Sequence, residues 1–60
     1  MKEEMYRSIL KEIINEEKKS KIWKAAEANG ILSCIALDED CKNVNIEELT
    51  KEIAEDIKNS

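Results

Sequence analysis

The chain has 60 residues, of which 42% are hydrophobic and 40% charged, and its net charge is −4. A chain this short forms one small domain, here residues 1–60, and buries only about 60% of the surface that its unfolded form exposes. It contains no histidine, the side chain best suited to acid–base catalysis near neutral pH, and a small helical domain offers little concave surface. We therefore expect no enzyme activity and no bound cofactor.

The charges are divided unevenly along the chain. Residues 1–24 carry a net charge of +2, whereas residues 25–60 carry −6. Basic side chains beside an aromatic ring are a candidate surface for nucleic acid or a membrane, and one such cluster consists of Lys18, Lys19, Lys21 and Lys24 around Trp23. Because acids are interspersed among these lysines and the rest of the chain is acidic, we expect a solvated helix face with Trp23 in the core. Direct binding of nucleic acid is not expected.

Apolar residues recur at helical spacing in residues 5–14 and predict a first, amphipathic helix. No apolar residue occurs between Asn15 and Lys21, which allows two interpretations. Either one long helix covers residues 2–28 with a solvated middle, or the helix breaks and a second one begins with Ser20 as its cap. Since nothing in this segment breaks a helix outright, we favour the single long helix.

The apolar centre of the chain is residues 31–37, in which only Ser33 is polar. Asn29 and Gly30 precede it and form a typical helix C-terminal signal. This pattern predicts that a helix ends there and that Ser33 caps a new short helix extending to Cys41. The alternative is a buried strand that pairs across a dimer axis, since two of the apolar residues are β-branched.

The last helix has the clearest start signal in the chain. Asn45 is a good N-cap, Glu48 completes a capping box, and Val44 and Leu49 occupy the positions of a hydrophobic staple. Apolar residues then recur at helical spacing to Ile57. Together these patterns predict an all-α bundle of three or four helices, with a long amphipathic N-terminal helix, a short central apolar helix and a capped C-terminal helix.

Neither cysteine is expected to bind a metal or form a disulfide. Two thiols without histidine supply only half of a tetrahedral zinc site, unless two chains meet. The segment that begins at Asp38 starts like a calcium loop, but Lys42 and Asn43 stand where a ligand and a glycine are required. We expect both thiols to act as small hydrophobes, with Cys34 in the core and Cys41 near its edge.

Four acids line one stripe of the last helix: Glu48, Glu52, Glu55 and Asp56. Such a stripe is commonly a solubilising face. It could also contact a basic surface on a partner, or occupy the nucleic-acid-binding site of a target protein and so inhibit it. A helix-turn-helix regulator is a further alternative, but it requires a basic recognition helix, and the last helix is acidic.

The function that these patterns favour is a small acidic protein-interaction or regulatory module without catalysis. Three short helices seldom cover so many apolar residues, so we expect a homodimer as well as a protein partner. Its interface is predicted to contain Tyr6, Leu10, Ile13 and Trp23. No run approaches the ~20 apolar residues needed to cross a bilayer, and acids occupy the N-terminal segment where a secretory peptide is apolar. A cytoplasmic protein without membrane contact is therefore expected.

Overall fold

The computed structural model describes residues 2–60, which form three α-helices and one short 3₁₀ turn. Helix α1 spans Lys2–Ile14, α2 spans Lys21–Leu37 and α3 spans Ile46–Lys58, and the 3₁₀ turn Glu39–Cys41 lies between α2 and α3. No strand occurs in residues 2–60, so the all-α bundle predicted from the sequence is confirmed and the strand alternative for residues 31–37 is wrong.

The prediction of one helix over residues 2–28 is wrong, because the helix breaks at residues 15–20. The first helix closes with a bond from the Asn15 N–H to the carbonyl of Lys11, and the hydroxyl of Ser20 accepts the N–H of Trp23 to begin α2. Residues 15–20 include no apolar side chain, so no burial against the core stabilises a helix there. The break lets α2 fold back against α1, which a single rod would prevent.

The predicted helix end at Asn29 and Gly30 is also wrong, because α2 continues to Leu37. Gly30 does not adopt a positive φ, which the termination signal requires. The hydroxyl of Ser33 donates to the carbonyl of Asn29 at 3.0 Å, so this serine bonds back inside the helix and does not cap a new one. A continuous helix keeps Leu32 and Ile35 on the same buried face as the residues before Gly30, and that burial outweighs the local signal.

The start of α3 confirms the cap predicted from the sequence. The side-chain oxygen of Asn45 accepts the N–H of Glu48 at 3.1 Å. Val44 packs against the core cluster that contains Leu49, as a hydrophobic staple requires. At the other junction, Asp38 ends α2 through its own N–H and begins the 3₁₀ turn by accepting the N–H of Asp40 at 2.9 Å.

Helix α2 is central, with α1 and α3 packed against it. All three helices and the 3₁₀ turn contribute to one core, which consists of Leu10, Ile14, Ala28, Leu32, Ile35, Cys41, Leu49, Ile53 and Ile57. The expected positions of the cysteines are reversed, since Cys41 is buried and Cys34 is exposed. Within residues 2–60, no helix combines the length and the apolar character needed to cross a bilayer.

Candidate interaction surface

Large apolar side chains remain exposed on α2. Ile22 keeps 85% of its surface accessible, Leu37 keeps 86% and Trp23 keeps 54%, whereas Met5 on α1 keeps 49%. An amphipathic helix that covers a core normally presents polar residues on its opposite face. Helix α2 departs from that rule, because it is apolar on the side that faces solvent as well as on the side that faces the core.

The exposed residues of α2 that lie opposite its buried face form one row, which we call the outer face of α2. They follow each other at helical intervals of three or four residues, and all five are exposed: Ile22, Ala26, Gly30, Ser33 and Leu37. The two ends of the row are fifteen residues apart along the helix, or about 22 Å at 1.5 Å per residue. It carries no charge, and it has a large side chain at each end and small residues in the middle.

The two ends of α2 carry opposite charge. Lys18, Lys19 and Lys21 precede or begin the helix, and all three are exposed. At the other end, Glu39 and Asp40 follow Leu37 and are exposed as well. The outer face of α2 is therefore an uncharged strip between a basic end and an acidic end.

The lysines around Trp23 are largely engaged by the chain itself. The ammonium of Lys19 lies 5.3 Å from the centre of the Trp23 ring and 3.0 Å from Glu27. Lys21 donates to the carbonyl of Lys58 at 2.8 Å, and Lys24, which is buried, reaches the hydroxyl of Ser60. Trp23 itself lies outside the core in which the sequence analysis placed it, so it borders the outer face of α2.

The acidic residues predicted as an interaction stripe on α3 are all exposed. Glu52, however, lies 3.7 Å from the guanidinium of Arg7 on α1, which offsets its charge. Lys51 lies one helical turn from both Glu48 and Glu55, and so it offsets part of the negative charge of this surface. Asp56 lies further round the helix, on the side of the buried stripe. The four acids therefore do not form an isolated negative row.

The residues predicted for a dimer interface differ in how much surface the fold leaves them. Leu10 is 1% exposed in the core, which leaves it no surface for a second chain. Tyr6 and Ile13 are half-buried, and Tyr6 packs against the core cluster. Only Trp23 of the four has much free surface. Ile22 and Leu37 were not predicted for an interface, because apolar residues near the centre of a chain are expected in its core.

Asp38 is the most strongly bonded carboxylate at the acidic end of α2. It accepts the N–H of Asp40 and the hydroxyl of Tyr6, and it lies 3.3 Å from the ammonium of Lys2. These interactions, led by the Asp40 N–H, hold the pKa of the Asp38 carboxyl below its usual range. The hydrogen bond from the Tyr6 hydroxyl to Asp38 also raises the pKa of the Tyr6 phenol. Asp38 therefore stabilises the fold. Asp40 also lies 3.4 Å from the ammonium of Lys2, so Glu39 is the acid at this end of α2 whose charge is not offset by an ion pair within residues 2–60.

The remaining candidates for chemistry are weak. Among residues 2–60, no three His, Cys, Asp or Glu side chains come together in a group that could hold a metal ion. An apolar groove of about 160 Å³ lies between α2 and α3, and it is lined by small and apolar residues such as Ala25, Ala54 and Ile57. Small-molecule sites are usually at least twice that size. This groove borders the outer face of α2 through Ala25 and extends its apolar character.

Comparison with protein-family models, with curated proteins and with solved structures found no match to this chain.

Proposed function

We propose that the protein is a small interaction module that acts by binding other protein surfaces and not by catalysis, with the outer face of α2 as its contact surface. The observation that carries the proposal is the exposure of Ile22 and Leu37 on a helix that already buries its opposite face. These two side chains end a row of exposed residues that carries no charge and has charged residues beyond each end, and an uncharged surface with a polar rim is a candidate protein contact site. The chain also lacks histidine, which supports binding over acid–base chemistry.

The acidic stripe of α3 has less support as the contact surface. Its charge is partly offset by Lys51 beside it and by Arg7 at Glu52. An inhibitor that imitates a nucleic-acid backbone needs an unbroken negative row, since each charge replaces a phosphate. The geometry therefore favours apolar contact through α2 over electrostatic contact through α3.

We also propose that the protein acts in the cytoplasm. Both cysteines are free thiols, and Cys34 is exposed. Exposed free thiols persist best in a reducing compartment.

The experiment that tests the proposed function is site-specific photo-crosslinking in a lysate of the organism that encodes the protein. A photoreactive residue replaces Leu37 on the outer face of α2, and in a matched control it replaces Lys51 on the outward surface of α3. Both positions are exposed, so neither replacement disturbs the core. We expect defined protein adducts from position 37 and none of comparable yield from position 51.

Adducts from position 51 without any from position 37 would contradict the proposal and indicate that the acidic stripe of α3 is the contact surface. The absence of adducts from both positions would overturn the proposal. Because the mass of each adduct reveals its partner, a second copy of the chain is distinguished from any other protein.

A further inference from the structure

We propose that the occupant of the outer face of α2 is the same helix of a second copy, packed antiparallel about a twofold axis beside Gly30. This inference rests on the proposed function, because it names the partner of that same surface. It replaces the α1 interface predicted from the sequence, in which Leu10 is already buried. Shape, the position of the glycine and charge each support it independently.

The row of residues is complementary to itself when it is reversed. Ile22 and Leu37 lie at equal distances from the middle of the row, so an antiparallel pair places Ile22 of one copy against Leu37 of the other. Ala26 meets Ser33 in the same way, and Gly30 lies next to the axis. A twofold interface requires this kind of self-complementary surface. The large side chains of each copy pack beyond the small residues of the other and close both ends of the contact.

The monomer does not account for the glycine at the centre of the row. Gly30 lies in the interior of α2, where glycine destabilises a helix relative to alanine, and its φ is not positive. A Cβ atom added to it meets nothing within 4 Å. The protein's own packing therefore does not require a glycine there. A second helix crossing at this point does, because small residues allow two helix backbones to approach closely.

Charge favours the antiparallel orientation over the parallel one. An antiparallel pair places the basic end of α2, led by Lys18, beside the acidic end of the second copy, led by Glu39. Lys21 and Asp40 lie at the same ends and add to this charge, although each also bonds within its own chain. A parallel pair places like charges together at both ends. The backbone dipoles of the two helices add to the preference, since positive and negative helix ends then lie side by side. The charges therefore select the orientation, while the burial of Ile22, Leu37 and Trp23 supplies most of the affinity.

A contact of one helix per copy is small, so association should be weak, with a dissociation constant on the order of micromolar. The measurement is sedimentation equilibrium of the full chain from the low micromolar to the millimolar range. We expect a reversible monomer–dimer equilibrium. Leu37→Glu should weaken it by about tenfold or more, because it buries a charge at the apolar contact. Met5→Glu is the matched control: it places the same charge at an exposed apolar residue of α1 and should leave the equilibrium unchanged.

Orientation is tested by disulfide trapping in a Cys34→Ser background. The reduced Ala26→Cys and Ser33→Cys chains are mixed in equal amounts and then oxidised, and each chain is also oxidised alone as a control. The antiparallel pair predicts the mixed disulfide as the main product, because positions 26 and 33 face each other. Predominant 26–26 and 33–33 disulfides would contradict the antiparallel pair and indicate a parallel one.

Three results would overturn the inference. One is a chain that stays monomeric at millimolar concentration. Another is a dimer that Leu37→Glu leaves intact, with circular dichroism showing that the variant is folded. The third is a dimer that Met5→Glu abolishes. If the chain is monomeric but still forms adducts with another protein from position 37, that result would contradict self-pairing alone and would support the proposed function.

Discussion

The phenol of Tyr6 donates a 2.9 Å hydrogen bond to the carboxylate of Asp38 and so ties α1 to the end of α2. The same carboxylate begins the 3₁₀ turn by accepting the N–H of Asp40, and the ammonium of Lys2 lies 3.3 Å away. One side chain therefore joins three parts of the fold. The side chain of Asp38 is only 12% exposed, so these bonds are partly shielded from water.

Tyr6→Phe should lower the free energy of unfolding at neutral pH, because it removes this bond and keeps the ring. The lowered pKa of the Asp38 carboxyl means that the folded state prefers its charged form. Its contribution to stability is present above the usual carboxyl pKa of about 4 and is lost as the pH falls through the lowered value. Urea denaturation at neutral pH and near pH 2 checks this, since the difference between variant and wild type should shrink in acid. A difference that persists in acid would show that the phenol acts through another contact.

Asn45→Ala should destabilise the protein by about 0.5 to 2 kcal/mol, because the N–H of Glu48 then loses its capping oxygen. Denaturant unfolding followed by circular dichroism measures the change. Asn43→Ala, in the exposed loop before the helix, is the control and should have little effect. Equal effects at the two positions would mean that the cap contributes nothing.

Gly30→Ala should stabilise the monomer by about 0.5 to 1 kcal/mol, because alanine is the better residue in a helix interior. The new methyl group has room, since nothing lies within 4 Å of it. The same change should weaken dimerisation by keeping two backbones further apart. Thermal unfolding at high dilution measures the first effect and sedimentation measures the second. A variant that is more stable as a monomer and dimerises as well as the wild type would show that the glycine has no role in self-pairing.

The two thiols should react at very different rates. Cys34 is exposed, whereas Cys41 is buried, and burial followed by the nearby charge of Asp38 raises the pKa of the Cys41 thiol. Labelling with a coloured disulfide reagent in native buffer should therefore show one fast and one slow thiol. Cys34→Ser should remove the fast phase alone, and urea should abolish the difference. Two fast phases in native buffer would contradict the burial of Cys41.

The sequence predicts the start of α3 but not the extent of α2. The Asn45 cap depends on residues within one helical turn, so its pattern indicates the start of α3 directly. Residues 31–37 were also correctly predicted to be helical, although the helix to which they belong was not. In contrast, the break at residues 15–20 depends on the free energy that the chain gains when α2 packs against α1. That free energy comes from contacts between residues far apart in the sequence, so no local pattern indicates it.

The candidate interaction surface could not be predicted for a related reason. The apparent helix end at Gly30 divided the outer face of α2 between two predicted elements, so the row from Ile22 to Leu37 was not visible as one face. From the sequence alone, every large apolar residue is expected to be buried. Which of them the core accommodates depends on how three helices pack, and only the packed structure shows that Ile22 and Leu37 are left outside.

The most direct test of the central claim is a dilution series of the ¹⁵N-labelled protein followed by heteronuclear NMR. The claim is that the outer face of α2 is the surface through which this protein associates. We predict that amide signals of Ile22, Ala26, Gly30, Ser33 and Leu37 shift with concentration, together with those of the charged ends of α2, while signals of α3 between Glu48 and Asp56 stay fixed. Shifts confined to α3, or no concentration dependence at all, would contradict the account.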